Sequence, residues 1–140
     1  TPNPSMSIAT NGNVVIGPSI SNPHSTLEVD GTLSVKVANG IVGGSSGSPL
    51  TIADQGIYLS LSPAAGSENY RVPDANAVAG RIYYIRNNSS TITANLTSVA
   101  GNFCSASSTS CTASLAMSPT ATGKTVMLIS DGTNWIVGNL

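Results

Sequence analysis

The chain has 140 residues, of which five are basic and six are acidic, so its net charge is −1 and charged residues make up only 8% of it. Typical soluble domains carry about 25% charged residues, so Ser, Thr, Asn and Gly must form most of this surface, as in extracellular and virion β-proteins. This balance excludes the basic footprint of a protein that binds nucleic acid or an anionic membrane. The longest uninterrupted apolar runs have four residues, as at 126–129, against roughly 20 for a membrane span.

Residues 1–48 contain few apolar residues and many turn residues, with two strand candidates among them. The first is 13–17. The second is 26–37, where charged residues occupy one parity and apolar residues the other, the pattern of a half-buried strand: Leu27, Val29, Leu33, Val35 and Val37. A segment with about a dozen apolar side chains cannot bury enough surface to fold alone. Because it also lacks cysteine, we expect chain association to stabilise it.

Gly and Ser dominate residues 39–49, which predicts a hinge between a segment of residues 1–48 and a C-terminal domain of residues 49–140. Short apolar segments then follow at a spacing of about ten residues, at 56–62, 67–73, 81–86, 90–96 and 124–137. Residues 73–80 form the only helix-like window, and it ends at Gly80. In the last segment Asp131-Gly132 is a β-hairpin signature, followed by the sole tryptophan, Trp135. The pattern predicts an all-β fold, a sandwich or barrel, and not a parallel α/β sheet.

Two blocks of sequence resemble parts of trimeric virus fibres. The first block, Asn11-Gly-Asn-Val-Val-Ile-Gly17 followed by Pro23 and Leu27-Glu-Val-Asp-Gly-Thr-Leu33, is similar to the shaft repeats of bacteriophage tail fibres. It differs in that Val15 replaces the usual middle glycine and Pro18 stands where a threonine is common. Gly80-Arg-Ile-Tyr-Tyr-Ile-Arg-Asn87, with Ser130-Asp-Gly-Thr-Asn-Trp135 further on, looks like the small β-domains that cap the fibre proteins of phages and large viruses. The opening Thr1-Pro-Asn-Pro is typical of a cut within a longer chain.

The resemblance implies a parallel homotrimer with an intertwined N-terminal stem and a globular C-terminal head of sandwich or jelly-roll type. It implies a virion surface protein, tail fibre or head fibre, that joins the virion through its N-terminus and attaches by its head to a host-surface receptor, a glycan or a protein. Binding rather than turnover is expected, with trimer avidity summing weak contacts. The alternatives are a non-viral extracellular adhesin or carbohydrate-binding module and, more remotely, a glycan-degrading enzyme.

The two cysteines, Cys104 and Cys111, bracket a six-residue Ser/Thr-rich loop. We expect a disulfide, which suits an extracellular or virion setting; two free thiols, from assembly in a reducing cytoplasm, are the alternative. Four ligands at zinc spacing are absent, since His24 is the sole histidine and lies far upstream. No metal and no other cofactor is therefore predicted.

The six acidic residues offer little support for a glycosidase pair. Glu28 and Asp30 lie on the outer side of the alternating strand, Asp131 is a turn residue, and Asp74 is placed to cap a short helix. Only Asp54 and Glu68 lack a structural role in the sequence pattern. No catalytic residue is predicted.

Aromatic side chains are the natural platforms for sugar rings, and the alternative for each is a place in the core. Trp135, in the closing hairpin, is expected to be buried. Of Tyr83 and Tyr84, strand alternation sends one inward and the other outward or into a subunit interface. Tyr70 lies in a loop-like stretch and is predicted to be exposed. The candidate receptor-binding residues are Glu68, Tyr70, Arg71, Asn87 and Asn88.

Overall fold

The computed structural model describes residues 6–17, 23, 25–107, 109–120 and 124–140. These residues are 48% strand and 2% helix, which confirms the prediction of an all-β fold. The chain divides into two compact units, an N-terminal unit, Thr1–Ser34, and a C-terminal unit, Val35–Leu140. His24 and residues 121–123, which precede the predicted closing segment, lie outside the described residues.

The N-terminal unit is built on a small three-stranded sheet. Its strands are β1 (Met6–Ile8), β2 (Val14–Ile16) and β3 (Leu27–Val29). β2 pairs antiparallel with β1 and parallel with β3. The strand predicted at 13–17 is β2, and the alternating segment 26–37 supplies β3 and the first residue of the next strand.

Most apolar side chains described in the N-terminal unit face solvent. Val15 is 1% exposed, but the large apolar side chains around it are between 42% and 74% exposed: Met6, Ile8, Ile16, Leu27 and Leu33. A sheet of three short strands that leaves these groups in water gains little from the hydrophobic effect. By itself the unit therefore lacks a core of ordinary size.

The C-terminal unit contains the remaining strands and one short 3-10 helix, Asn76–Val78, within the predicted helix-like window. The strands, in chain order, are β4 (Val37–Ile41), β5 (Leu50–Thr51), β6 (Tyr58–Leu61), β7 (Asn69–Val72), β8 (Ile82–Asn87), β9 (Ala94–Ser98), β10 (Phe103–Ser105), β11 (Cys111–Thr112), β12 (Ser114–Met117), β13 (Thr125–Ser130) and β14 (Trp135–Asn139). They form a seven-stranded sheet, in the order β11-β10-β14-β13-β8-β6-β4, and a four-stranded sheet, in the order β12-β9-β7-β5.

The first six strands of the C-terminal unit wind between these two sheets. β4, β6 and β8 lie parallel in the large sheet, while β5, β7 and β9 lie parallel in the small one. Each strand therefore lies beside the second strand before it in the chain. In the large sheet Tyr58 pairs with Val37 and Tyr84, and in the small sheet Tyr70 pairs with Leu50 and Leu96. The remaining strands close the unit largely by antiparallel pairing, including the predicted hairpin, in which Ser130 of β13 lies opposite Trp135 of β14.

Residues 35–48, which were assigned to the stem and hinge, belong to the C-terminal unit. β4 pairs with β6, and the turn at 45–48 has a counterpart at 64–67, each closed by a bridge between its first and last residues. Glycine is required here for close packing rather than flexibility. A Cβ on Gly43 would lie 2.7 Å from the Ser67 carbonyl oxygen.

Both sheets contribute side chains to one hydrophobic core. Inward positions of the large sheet include Leu59, Tyr83 and Leu128, and those of the small sheet include Tyr70 and Leu96. Trp135 is fully buried among them, as the sequence predicts. Its ring centroid lies 5.6 Å from that of Tyr83.

Candidate functional site

A surface groove of about 410 Å³ lies where the chain crosses from the large sheet to the small one. One wall is the turn between β6 and β7, and the other is formed by the β8–β9 loop and the start of β9. We call it the Glu68 groove; its lining residues are Ala65, Gly66, Glu68, Thr91, Ile92, Thr93 and Asn95. Apart from Glu68, every polar side chain in this lining is a neutral hydroxyl or amide.

Glu68 lines this groove and carries one acceptor atom without a hydrogen-bond partner among the described residues. Its Oε2 atom is buried and has no hydrogen-bond partner within the described ranges. Buried polar atoms without a partner are uncommon in native proteins, because each forfeits its hydration. Because Oε2 has almost no solvent-accessible surface, the carboxylate must turn towards the groove before a ligand hydroxyl or amine can donate a hydrogen bond to this atom.

The main chain beneath the groove is fixed on both sides. The Asn95 N–H donates to the Glu68 carbonyl oxygen at 2.9 Å, which ties the two walls together. In the turn before Glu68, the Ser67 N–H donates to the Ala64 carbonyl oxygen at 2.8 Å. The groove is therefore largely pre-formed, which lowers the ordering entropy that a ligand must overcome.

Asn87 organises the wall that carries Thr91 and Ile92. Its side chain is fully buried, and Nδ2 donates to the carbonyl oxygens of Ile92 at 2.8 Å and Met117 at 3.0 Å. Its Oδ1 accepts from the Ser89 N–H at 3.0 Å. All of these bonds serve the protein itself, so Asn87 positions the loop and is not available to a receptor.

Tyr70 is buried, and the prediction that it is exposed is wrong. β7 alternates, with Tyr70 and Val72 inward and Arg71 outward, so the apparent loop is a strand. The Tyr70 hydroxyl donates to the Ile41 carbonyl oxygen at 3.0 Å. Burial raises the pKa of Tyr70 to about 12, and the charge of Glu68 acts in the same direction.

The other candidate receptor-binding residues are dispersed. Arg71 and Asn88 are exposed but do not line the Glu68 groove. Of the five candidates only Glu68 lies in it. Thr91, Thr93 and Asn95 were not predicted to be site residues. Thr and Asn occur at binding sites as well as at solvent-exposed positions of a strand and its preceding loop, so the sequence does not distinguish the two roles.

Asp54, the other acidic residue without a predicted role, lies in a different hollow, lined also by Lys36, Gly56, Ile57 and Arg81. Its Oδ1 accepts from Arg81 at 3.0 Å, and this hydrogen bond raises the pKa of Arg81. Lys36 donates to the Asp54 main-chain oxygen at 2.8 Å. Asp54 and Glu68 thus share no hollow.

Cys104 and Cys111 are joined by a disulfide. They lie directly opposite each other in the antiparallel pair β10–β11, with Cα atoms 4.0 Å apart. β11 has only two residues and lies at the edge of the large sheet. The bond therefore fastens an edge strand that few other contacts hold.

Among the described residues, no group of three or more His, Cys, Asp and Glu side chains is arranged to hold a metal ion. Within the same ranges, no helix has the length and hydropathy needed to cross a membrane. Comparisons of the chain with protein-family models, with curated proteins and with solved structures found no match.

Proposed function

We propose that this chain is the structural protein of a virion fibre or spike, a parallel homotrimer in which the N-terminal unit is the stem and the C-terminal unit the head. The head attaches the particle to a receptor on the host surface, and a glycan is the proposed receptor class. The likeness of residues 12–31 and 80–135 to fibre proteins is one support for this proposal.

The observation that carries the proposal is the exposure of the stem. Five large apolar side chains of the N-terminal unit, those of residues 6, 8, 16, 27 and 33, are between 42% and 74% exposed. Complete burial of such a side chain in an apolar contact contributes about 1.5–3 kcal/mol, and these side chains, still about half exposed, would gain roughly half of that. Association of three copies supplies that contact without requiring any residue beyond those of the chain, and no stem cysteine is available as a substitute.

We propose a sandwich-like architecture for the head, because the two sheets share one core. The parallel winding of β4 to β9 differs from the antiparallel Greek keys of a jelly roll. In both arrangements the loops are carried by a rigid scaffold, which suits a distal binding domain.

The Glu68 groove supports a glycan as the receptor. Sugars present many hydroxyl donors, and the groove is lined by the Glu68 carboxylate beside the hydroxyl and amide groups of Thr91, Thr93 and Asn95. The hydrogen bond that Oε2 lacks would be gained when this side chain turns towards a bound sugar. It contains no aromatic platform, so we expect a weak single-site affinity. Three heads on one stem would convert weak contacts into useful avidity.

Two measurements on the full chain test the proposal. Sedimentation equilibrium should give three times the mass of the chain, and Leu27→Asp should weaken association while Val99→Asp, at an exposed position of the other unit, should not. A glycan array should then give hits that Glu68→Gln reduces. A trimer without hits would leave a purely structural fibre. Binding by a monomer would instead favour a free-standing carbohydrate-binding module.

A further inference from the structure

The outer face of the seven-stranded sheet, turned away from the core, carries a continuous set of apolar side chains. In β8 and β13, burial alternates along the strand, and Tyr84 lies directly opposite Met127 on the outer side. Directly paired residues share a face with Cβ atoms about 4.5–5.5 Å apart. Pairing across the sheet extends this contact into two adjacent rows, which together we call the outer patch. The first row contains Val37, Tyr58, Tyr84 and Met127, and the second contains Ile82, Ile129 and Ile136.

The outer patch is only partly covered by its own members. Val37 is 52% exposed, and Ile82 and Tyr84 are each 38% exposed. None of its seven residues is charged, whereas Arg86, two positions beyond Tyr84 on the same strand face, is exposed at its rim. An apolar surface with a polar rim is typical of a protein interaction site.

The edge strands β4 and β5, one from each sheet, are poorly suited to the same purpose. β4, at the edge of the large sheet, is interrupted by a register shift between Ala38 and Ile41, with Gly40 at a φ of +68°. β5, at the edge of the small sheet, has only two residues. Bulged and very short edge strands discourage strand addition, so at this side of the unit a partner would contact the face of the large sheet.

We propose that the outer patch is the contact between the heads of neighbouring copies, with the three patches turned towards a common axis. This inference rests on the proposed trimer. Val37, on the first strand of the patch, follows the end of the N-terminal unit at Ser34 by only three residues. Once the stems associate, such a short tether holds the neighbouring heads at an effective concentration of the order of millimolar. A separate partner protein would have to reach the same concentration in solution to compete for the patch.

Charge favours the same occupant. The patch contains no charged side chain, so its own members bring no like charges together when three copies of the face meet. A partner selected by charge, such as an anionic polymer, would find nothing to pair with inside the patch. A second and a third copy bring an apolar face of the matching kind.

The experiment measures cysteine accessibility in the full chain. Ile82→Cys places a thiol in the outer patch, and Val99→Cys, at a position 58% exposed in the bend after β9, is the control. Sedimentation first establishes the assembly state of each variant. Maleimide labelling is then measured in buffer and in urea, without reductant, so that the native disulfide stays intact. In buffer, we expect the Ile82→Cys thiol to react about tenfold more slowly than the control, because even a modest free energy of contact between heads keeps the face covered. In urea, we expect the two thiols to react equally fast.

A second pair of variants tests the energetics. Tyr84→Glu should shift the association midpoint at least tenfold to higher concentration, because it forces a carboxylate into an apolar contact, whereas Val99→Glu should not. Rapid labelling of Ile82→Cys in an intact trimer, or an unchanged midpoint for Tyr84→Glu, would overturn the inference and leave the proposed trimer standing. A wild-type chain that is monomeric would overturn both.

Discussion

The indole N–H of Trp135 donates a hydrogen bond to the Pro73 carbonyl oxygen at 3.1 Å. Trp135 begins β14 of the large sheet, while Pro73 directly follows β7 of the small sheet. The same N–H lies 3.2 Å from the Ser98 Oγ at the end of β9. One buried side chain thus joins the two sheets through its polar atom, and this linkage ties the closing hairpin to the rest of the C-terminal unit.

Trp135→Ala should lower the free energy of unfolding of the C-terminal unit by about 3–5 kcal/mol, the usual cost of removing a large buried ring. Trp135→Phe should cost less, since it keeps part of the ring but loses the hydrogen bonds to the small sheet. Urea unfolding followed by circular dichroism measures both. A Trp135→Ala protein with native stability that had lost only receptor binding would show that this residue is a ligand platform and not a core residue.

Asn87 and Asn88 form a natural pair of variants, because adjacent identical residues have opposite environments. Asn87→Ala should cost about 2–3 kcal/mol, since it leaves buried carbonyl oxygens of Ile92 and Met117 without their donor. Asn88→Ala, at an exposed position, should change stability by less than about 0.5 kcal/mol. Thermal unfolding of the two variants provides the comparison, and equal effects would refute the buried role of Asn87.

The local features of this fold were predictable from the sequence, whereas its long-range pairing was not. Asp131-Gly132 and the flanking apolar runs identify the last hairpin, because its pairing is set by adjacent residues. Tyr70 was misplaced because its neighbours Glu68 and Arg71 are charged. Its burial depends on Leu50 and Leu96, its pairing partners in β5 and β9, and parallel pairs have no connecting turn signature.

The same reason explains why the Glu68 groove was only partly identified. Glu68 was singled out because no structural role was visible for it, but the opposite wall comes from residues 91–95, more than 20 positions away. Their approach follows from the parallel pairing of β7 with β9. A sequence pattern with no repeated motif gives no sign of that register.

Reduction of the Cys104–Cys111 disulfide should lower the free energy of unfolding of the C-terminal unit by roughly 2.5 kcal/mol. This value is the loop-closure entropy that the bond removes from the unfolded chain. β11 should detach first, because it is a two-residue edge strand. Urea unfolding with and without a reductant measures the loss, and a Cys104→Ser/Cys111→Ser double variant should reproduce it without responding to reductant. Equal midpoints for the oxidised and reduced wild-type chain would contradict the stabilising role of this bond.

Alkaline pH should destabilise the fold through Tyr70. Its folded pKa is about 12, against about 10 in the unfolded chain. The unfolded chain therefore loses this proton first, so that stability holds up to about pH 10 and falls between pH 10 and 12, by about 2–3 kcal/mol for this group. Burial also raises the pKa of Tyr83, which adds to the loss. Tyr70→Phe should be less stable at neutral pH but should show a shallower decline above pH 10; an unchanged decline would exclude Tyr70 as its source.

The most direct test of the proposed fibre is the mass of the full chain in solution, measured by sedimentation equilibrium over a wide range of concentrations. The exposure of Met6, Ile8, Ile16, Leu27 and Leu33 predicts association, with dissociation promoted by Leu27→Asp. The resemblance to trimeric fibres predicts that the associated mass is three times that of the chain. A chain that stays monomeric at the highest concentrations, with these side chains still exposed, would contradict the account.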